Sequence, residues 1–315
     1  MNTVAQSDFF SDVDAEVQFD VAIGKMTYYA IGGSADAMVK PNSIDALSLV
    51  MQRCLDSNIP LQILGKGANL LIDDCGVNGV VVKLDHDCFT SYNLQSENSI
   101  HTLNIMAGAD LSKTVMEMAR LGLDGLQAMA GIPASIGGAI RMNAGGKYGI
   151  ISDTLSEITT VTSSGKILTH KASDLTFSYR TNNIQEPIIL SATFQLSLDD
   201  PLVIRDQVKE IFALKKSSQP LAETSAGCAF KNPVDEKGLY HSAGKLIDEA
   251  GLKGFRIGGA IVSSQHANFI TTSENGTAKD VLALMEEVKK RVMDSSGFML
   301  EREVVVWSRN SEEIR

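Results

Sequence analysis

Apolar residues recur at helical spacing in several stretches of the chain. Ile44, Leu47, Val50, Met51, Cys54 and Leu55 share one face of a helix that Asn42 or Ser43 caps and Asn58-Ile59-Pro60 stops. Cys54 sits on that stripe and reads as core. Leu111, Val115, Met118 and Ala119 mark a second helix, entered from Gly108-Ala109-Asp110 and closed by Gly122, with Met116 and Met118 read as packing residues. Ile204, Val208, Ile211 and Phe212 line a third, with Pro201 in its first position. A further helix spans residues 243–250 and breaks at Gly251. Thr277 and Asp280 make a capping-box start for a last one, which bears Val281, Leu284, Met285, Val288 and Val292.

Between these lie strand patterns. They cover residues 37–39 (ending at Pro41), 61–64, 70–72, 80–84, 103–107, 188–198 and 300–307, and a hairpin of 158–162 with 166–169. In residues 174–180 alternation sets Phe177 and Tyr179 on one face of a strand and Ser178 and Arg180 on the other. Residues 85–100 are polar and read as irregular, and residues 1–18 as a loosely held acidic extension. Many strands with few helices over residues 25–200 predict an α+β fold. The composition shift at Asp199-Asp200-Pro201 places a domain boundary near residue 200.

A length of 315 residues calls for more than one core. The formal charge of −10 argues against a nucleic-acid partner, which would need a basic surface. Cys54, Cys75, Cys88 and Cys228 show no metal-binding or redox-pair spacing, so no metal is expected, and scattered thiols fit a reducing cytoplasm. The acidic start, with Asp8, Asp12, Asp14, Glu16 and Asp20 ahead of Lys25, is the reverse of a signal peptide. No apolar run approaches the roughly 20 residues of a membrane span.

Chemistry enters with glycine. Ala130-Gly131-Ile132-Pro133-Ala134-Ser135-Ile136-Gly137-Gly138-Ala139 runs on into Met142-Asn143-Ala144-Gly145-Gly146. Such clustering points to backbone N–H groups facing something bulky and anionic. Gly65-Lys66-Gly67-Ala68-Asn69-Leu70 resembles the opening of a dinucleotide fingerprint, but its third glycine is missing and a strand pattern follows where a helix is required. A Rossmann site is therefore excluded, while a loop wrapping a pyrophosphate is retained. Cys228, His266, Glu303 and Arg180 are the candidate acid–base groups. A free thiol, with a pKa near about 8.5, is mostly protonated at neutral pH and can donate. A lone cysteine is as readily a small buried apolar residue. Two classes stay open on these grounds: a redox enzyme with a bound dinucleotide, and a nucleotide-binding module without catalysis.

Ordered motifs then narrow the field. They are Ala30-Ile31-Gly32-Gly33, Leu64-Gly65-Lys66-Gly67-Ala68-Asn69-Leu70-Leu71, the 131–139 and 142–145 stretches, Phe177-Ser178-Tyr179-Arg180, Ser217-Ser218-Gln219-Pro220, Ser225-Ala226-Gly227, Phe230-Lys231-Asn232-Pro233, His266-Ala267-Asn268-Phe269-Ile270 and Leu300-Glu301-Arg302-Glu303-Val304. With them, residues 25–308 resemble the UDP-N-acetylenolpyruvoylglucosamine reductase (UDP-N-acetylmuramate dehydrogenase) family, in its second type.

The resemblance implies an FAD-binding fold of the vanillyl-alcohol-oxidase kind. After an acidic extension over residues 1–20, two subdomains divided near 85–100 make up residues 21–200, and a C-terminal α+β substrate domain covers 201–310. It implies a cytoplasmic, monomeric enzyme of peptidoglycan precursor synthesis, acting without a membrane partner. NADPH reduces the flavin, and the flavin reduces UDP-N-acetylglucosamine enolpyruvate at C3. Arg180, Cys228 and Glu303 are then the catalytic residues. Gly65, Lys66, Gly67, Ala68, Asn69, Leu70, Gly131, Ile132, Pro133, Ser135, Ile136, Gly137, Gly138 and Asn143 are implied at the cofactor, and Lys215, Lys216, Lys231, Asn232, His266 and Asn268 at the substrate. Two departures stand out. Cys228 replaces the family's usual serine proton donor, and Lys215-Lys216 stand where arginines are usual, so a point charge replaces a bidentate fork.

Overall fold

Wherever one face of a segment is buried, its side-chain pattern reappears as structure. The protein is described here by a computed structural model covering residues 8–97 and 100–310. Its contacts form two compact units that are discontinuous in sequence. One comprises Met1–Val21, Asp36–Lys66 and Gly79–Leu214; the other comprises Ala22–Ala35, Gly67–Asn78 and Lys215–Arg315. Segments 22–35 and 67–78 fall within the 21–200 stretch of the sequence yet pack with the C-terminal residues. Residue 200 marks the start of helix Pro201–Ser218, and the change of unit comes within that helix.

In the first unit, the strand order of the smaller sheet is Ala15–Val21, Ala35–Pro41, Val77–Val82, Leu61–Ile63. Helix Ile44–Asp56, capped by the Ser43 hydroxyl accepting from the Ala46 N–H, lays Leu47, Val50, Met51 and Cys54 against Val39, Val80 and Val82. Burial pushes the Cys54 thiol up to about 12, as befits an inert core residue. The larger antiparallel sheet runs Ile167–Lys171, Leu155–Val161, Ile188–Leu198, Ile100–Met106, Tyr92–Glu97, and Leu123–Asp124 pairs the end of the long strand. Helices Leu111–Arg120, Ile136–Arg141 and Pro201–Ser218 bury Val115, Met118, Ile136, Ile140, Ile204, Val208 and Ile211 in one core with Leu103, Ile105, Ile158, Phe194 and Leu196.

In the second unit, Leu70–Ile72 pairs in parallel with Val305–Trp307. Arg256–Ile257, Ala260–Val262 and Ile270–Thr272 form an antiparallel sheet. Helices Ala243–Glu249 and Ala278–Ser296 close a core of Tyr29, Leu71, Phe230, Ile247, Val262, Ile270, Val281, Leu284, Val288 and Val292. Each such fully buried aliphatic side chain contributes about 1.5–3 kcal/mol. Gly32, at φ +106°, lets the 27–33 segment lie on strand Leu70–Ile72, since a Cβ there would fall 2.1 Å from the Ile72 carbonyl oxygen.

Several expectations need correction. Residues 85–100 are not irregular: Asp87–Thr90 is a helical turn, and Tyr92–Glu97 pairs with Ile100–Met106. That edge strand is exposed at every position but Leu94, so it leaves no alternation to read, and residues 98–99 lie outside the described residues. The N-terminal stretch is not loose from residue 8 onward. Phe10 and Val13 are buried, Ala15–Val21 is a strand, and Arg53 holds Asp12 through two bonds of 2.6 and 2.8 Å. Residues 1–7 lie outside the described residues. Met116, read as a packing residue, and Phe212, assigned to an apolar stripe, both face outward, next to buried Val115 and Ile211. The C-terminal strand is confined to Val305–Trp307, with Arg302 bridging Phe230.

The capping box at Thr277 is present: its hydroxyl accepts from the Asp280 N–H at 3.1 Å, and the Asp280 carboxylate accepts from the Thr277 N–H at 3.2 Å and the Gly259 N–H at 3.0 Å. The Gly259 bond leads in holding the Asp280 carboxyl below its ordinary range. A depressed carboxyl stabilises the fold above its unfolded pKa of about 3.9, and that contribution is lost as pH falls through the folded value. Asp280→Ala is expected to cost about 1 kcal/mol in urea unfolding at pH 7, with the difference from wild type shrinking as pH drops below about 4.

Candidate functional site

In the first unit the two glycine loops meet through one acidic residue. Asp110 caps helix Leu111–Arg120, accepting from the Lys113 N–H at 3.0 Å, and its other carboxylate oxygen lies 2.6 Å from Lys66 Nζ. Its backbone bridges Ser135: the Leu111 N–H donates to the Ala134 carbonyl and the Ile136 N–H to the Ala109 carbonyl, each at 3.0 Å. Burial raises the Asp110 carboxyl, but the bonds from Lys66 and Lys113 outweigh it, and the group is held below its ordinary range. Gly65 lies directly against this bridge, since a Cβ there would sit 2.7 Å from Ser135 Oγ. Asp110 belongs to the site although its sequence signal, a capping residue ahead of a helix, marks only a helix start.

The second glycine stretch spends its amides differently from expectation. The N–H groups of Ile136 and Gly137 donate to the carbonyls of Ala109 and Ala107, and the Gly138 N–H donates to Ser135 Oγ at 3.2 Å. Those three amides are bonded within the protein and do not face a ligand anion. Gly137 is required by packing, because a Cβ would come 2.9 Å from that of Ala107. Gly131, at φ +74°, makes the turn that leads half-buried Ile132 and Pro133 into the Ser135 cap.

Arg180 does not lie in a strand. Phe177–Ser178 pairs with Thr181–Asn182, so Tyr179-Arg180 is a two-residue hairpin turn, with Arg180 at φ +58°. The alternation argument failed here because a turn interrupts the strand. The hairpin is braced on the glycine stretch. Asn143 Nδ2 donates to the Ser178 carbonyl at 3.0 Å, and Arg180 Nη1 donates to the Gly145 carbonyl at 3.1 Å. Asn182 Nδ2 donates to the carbonyls of Ile140 and Arg141, at 3.0 and 2.8 Å, while its Oδ1 accepts from the Ile184 N–H. Arg141 reaches the carbonyls of Ile184 and Glu186 from a site whose burial lowers its pKa. Asn143 is 2% exposed, at φ +41°, and its buried Oδ1 finds no hydrogen-bond partner among the described residues.

The second unit gathers a different set. Gly67, at φ +66°, packs on Thr27, and beyond Ala68 the Asn69 side chain donates to the Glu303 carbonyl at 3.2 Å. The Asn69 carbonyl accepts from the Val305 N–H, and Leu70 pairs with Val305. The Glu303 N–H donates to the Ala229 carbonyl at 2.9 Å, next to half-buried Cys228, whose backbone bridges Phe269. Lys231 Nζ lies 3.5 Å from the Glu301 carboxylate, an exposed pairing of the kind worth about 0–1 kcal/mol. Asn232 Oδ1 accepts from the Ala243 N–H at the start of helix Ala243–Glu249. His266 is partly buried, which lowers its pKa and favours the neutral ring; its Nδ1 accepts from the Asn268 N–H at 3.2 Å. Lys215 and Lys216 occupy the last turn of Pro201–Ser218, where Gln265 Nε2 donates to the carbonyls of Lys216 and Ser217.

Asn268 departs from its expected substrate contact. It is 3% exposed, its Oδ1 accepts from the Phe230 N–H at 3.0 Å, and its Nδ2 donates to the Phe230 carbonyl at 2.8 Å. A carboxamide engaged in this way is a backbone clamp.

Comparison with known proteins places the chain among relatives. Residues 35–171 match the FAD binding domain family, and residues 219–307 match the UDP-N-acetylenolpyruvoylglucosamine reductase, C-terminal domain, family. The UDP-N-acetylenolpyruvoylglucosamine reductase of Lachnoclostridium phytofermentans is 38% identical over 96% of this chain and 97% of its own length. That of Listeria innocua is 40% identical over 92% and 94%. The crystal structure of the Thermus caldophilus reductase superposes with a TM-score of 0.77 at 34% identity, covering 93% of this chain and 98% of that one. A berberine-bridge-enzyme-like protein of Physcomitrella patens, at 12% identity and a TM-score of 0.54, shares the fold alone.

The bracing of the Arg180 turn is open to test. Asn182→Ala leaves the carbonyls of Ile140 and Arg141 and the Ile184 N–H without that partner, and is expected to cost about 1–3 kcal/mol in denaturant unfolding.

Proposed function

We propose that Arg180, Cys228 and Glu303 carry the chemistry of this protein, from the premise that the chain belongs to the UDP-N-acetylenolpyruvoylglucosamine reductase family. Its reaction is the FAD-mediated reduction of UDP-N-acetylglucosamine enolpyruvate to UDP-N-acetylmuramate, a step of peptidoglycan precursor synthesis. We assign NADPH as the electron donor.

Residues of the first unit suit the cofactor. The buried Oδ1 of Asn143 is an acceptor with no partner among the described residues, so an N–H donor on the cofactor would complete it. Gly65 brings its backbone close to Ser135, and Lys66 supplies a cation beside it, partly neutralised by Asp110. Gly65, Lys66, Gly131, Ser135 and Asn143 are thus the residues that would hold FAD, although the amides of Ile136, Gly137 and Gly138 would not contribute. FAD held there would supply a two-electron relay between the nicotinamide and C3 of the enolpyruvyl group.

The protein's own residues manage the charge and the proton. As hydride adds to C3, the electron pair of the C2–C3 double bond moves to C2 and into the adjoining carboxylate. Arg180 carries a permanent charge and a bidentate fork suited to that carboxylate. Cys228 Sγ–H delivers a proton to C2, leaving a thiolate that water reprotonates. Glu303 is assigned to the same developing negative charge. Lys215, Lys216, Lys231, Asn232 and His266 are assigned to the remaining polar groups of the nucleotide. The observation that carries the assignment is the 2.9 Å bond from the Glu303 N–H to the Ala229 carbonyl, which fixes Glu303 beside the Cys228 segment.

Stopped-flow flavin absorbance separates the two halves of the cycle. Cys228→Ala is expected to accept electrons from NADPH at a rate within about twofold of wild type, and to slow reoxidation by the enolpyruvyl nucleotide by about 10²–10⁴-fold, the usual worth of a proton donor. Unimpaired reoxidation would remove Cys228 from the mechanism. Arg180→Lys is expected to slow reoxidation by about 10²-fold, the scale of losing a transition-state donor, with little change in flavin reduction. Equal slowing of both halves would instead mark Arg180 as structural.

A further inference from the structure

The mechanism needs a proton donor and an acid held still, yet Cys228 and Glu303 belong to short segments with little regular structure. Neither lies in a strand longer than a single bridge. Cys228 follows Gly227, whose φ is +80°, and Glu303 follows the isolated bridge of Arg302 to Phe230. Asn268 bonds the main chain next to Cys228, and that main chain bonds Glu303 in turn.

Three bonds run from this one residue to the Cys228–Phe230 segment. Its carbonyl accepts from the Ala229 N–H at 2.7 Å, its Oδ1 accepts from the Phe230 N–H at 3.0 Å, and its Nδ2 donates to the Phe230 carbonyl at 2.8 Å. The Ala229 carbonyl is the acceptor for the Glu303 N–H at 2.9 Å, and the Lys231 N–H donates to the Glu301 carbonyl at 2.9 Å. The far side of Asn268 is held in turn, because its own N–H donates to His266 Nδ1. The chain of bonds is thus His266 to Asn268, Asn268 to residues 229–230, and residue 229 to Glu303. Phe230 is 1% exposed and Asn268 is 3% exposed. A bond broken here leaves a buried backbone group unpaired, and the segment must shift to find water.

We propose that Asn268 is a positioning residue for the reductase reaction, acting through the backbone of residues 229–230 to hold Cys228 and Glu303 in place, and contributing nothing to hydride transfer into the flavin. The proposal rests on the reading of Cys228 and Glu303 given above. A displacement of about 1 Å at a reacting group can cost on the order of 10²-fold in rate, and Asn268 is the residue whose loss permits such a displacement.

The test compares Asn268→Ala, Asn268→Asp and Cys228→Ala, each as the full-length holoenzyme, in both half-reactions. Asn268→Asp keeps the side-chain shape and the acceptor for the Phe230 N–H but replaces the donor to the Phe230 carbonyl. Reduction of the flavin by NADPH is expected to stay within about twofold of wild type in every variant, which also reports that FAD is bound and the chain folded. Reoxidation by the enolpyruvyl nucleotide is expected to slow by about 10–10²-fold in the Asn268 variants. Amide hydrogen exchange is expected to speed up in peptides covering 228–232 and 301–304 and to stay unchanged in helix Ala278–Ser296. Should Asn268→Ala fail to bind FAD, Asn268→Asp decides alone. If Cys228→Ala reoxidises slowly while the Asn268 variants reoxidise at the wild-type rate, the positioning role is overturned and the catalytic reading stands. Slowing of both half-reactions to the same extent also overturns it, since that is the signature of a general structural residue. If Cys228→Ala reoxidises normally, the catalytic reading falls and the proposal falls with it.

Discussion

A buried carboxamide bonded to both the N–H and the carbonyl of one residue is the constraint on which the main chain around Phe230 in the second unit depends. Asn268 grips Phe230, and Phe230 is a core residue flanked by Ala229 and followed by Lys231 and Asn232. A backbone amide pair gripped in this way cannot slide by a residue, because each shift would strand a donor and an acceptor away from water. The register of residues 229–231 against 301–303 follows from that grip, and Glu303 then reaches Asn69 through its carbonyl. By contrast, the exposed pairing of Lys231 with Glu301 adds little, since water screens it.

The first unit applies the same economy to Arg180. A guanidinium on a hairpin turn would wander if only its own strands held it, as two-residue strands are too short to be stable alone. The turn is instead pinned by amide side chains, Asn143 and Asn182, and by partly buried Arg141, all bonding main-chain groups. Burying Arg141 is unfavourable unless its donors are met, and the carbonyls of Ile184 and Glu186 meet two of them. In both units, then, side-chain carboxamides bonded to main-chain groups hold the backbone beside a residue proposed for the chemistry.

The glycine stretches illustrate a division of roles that composition does not reveal. Gly137 is there for packing against Ala107, Gly131 for a turn, and Gly32 for passage over a strand. Glycine content alone points to a ligand, yet each of these has a neighbour inside the protein that forbids a Cβ or a backbone angle that other residues rarely adopt. Asp110, which joins Lys66 to Ser135, reads in the sequence only as the entry to a helix, because a capping aspartate looks the same whether or not its second oxygen is bonded elsewhere.

The amino-acid sequence by itself determined the long amphipathic helices, the Thr277 capping box, the strand Ile188–Leu198 and the membership of one reductase family, because these rest on local periodicity, on caps and on ordered motifs that span the chain. It marked Arg180, Cys228 and Glu303 as chemistry, but not what holds them. Only the tertiary structure decided that Arg180 stands on a turn, that Tyr92–Glu97 is a strand, that residues 22–35 and 67–78 pack with the C-terminal unit, and that Asn268 is a clamp. The last two depend on partners tens of residues or more away, the strand on a polar edge with no buried face, and the Arg180 turn on a two-residue pairing too short to leave a pattern. Local pattern carries no information about such partners, since the hydrogen bond that settles the matter is made by groups every residue possesses.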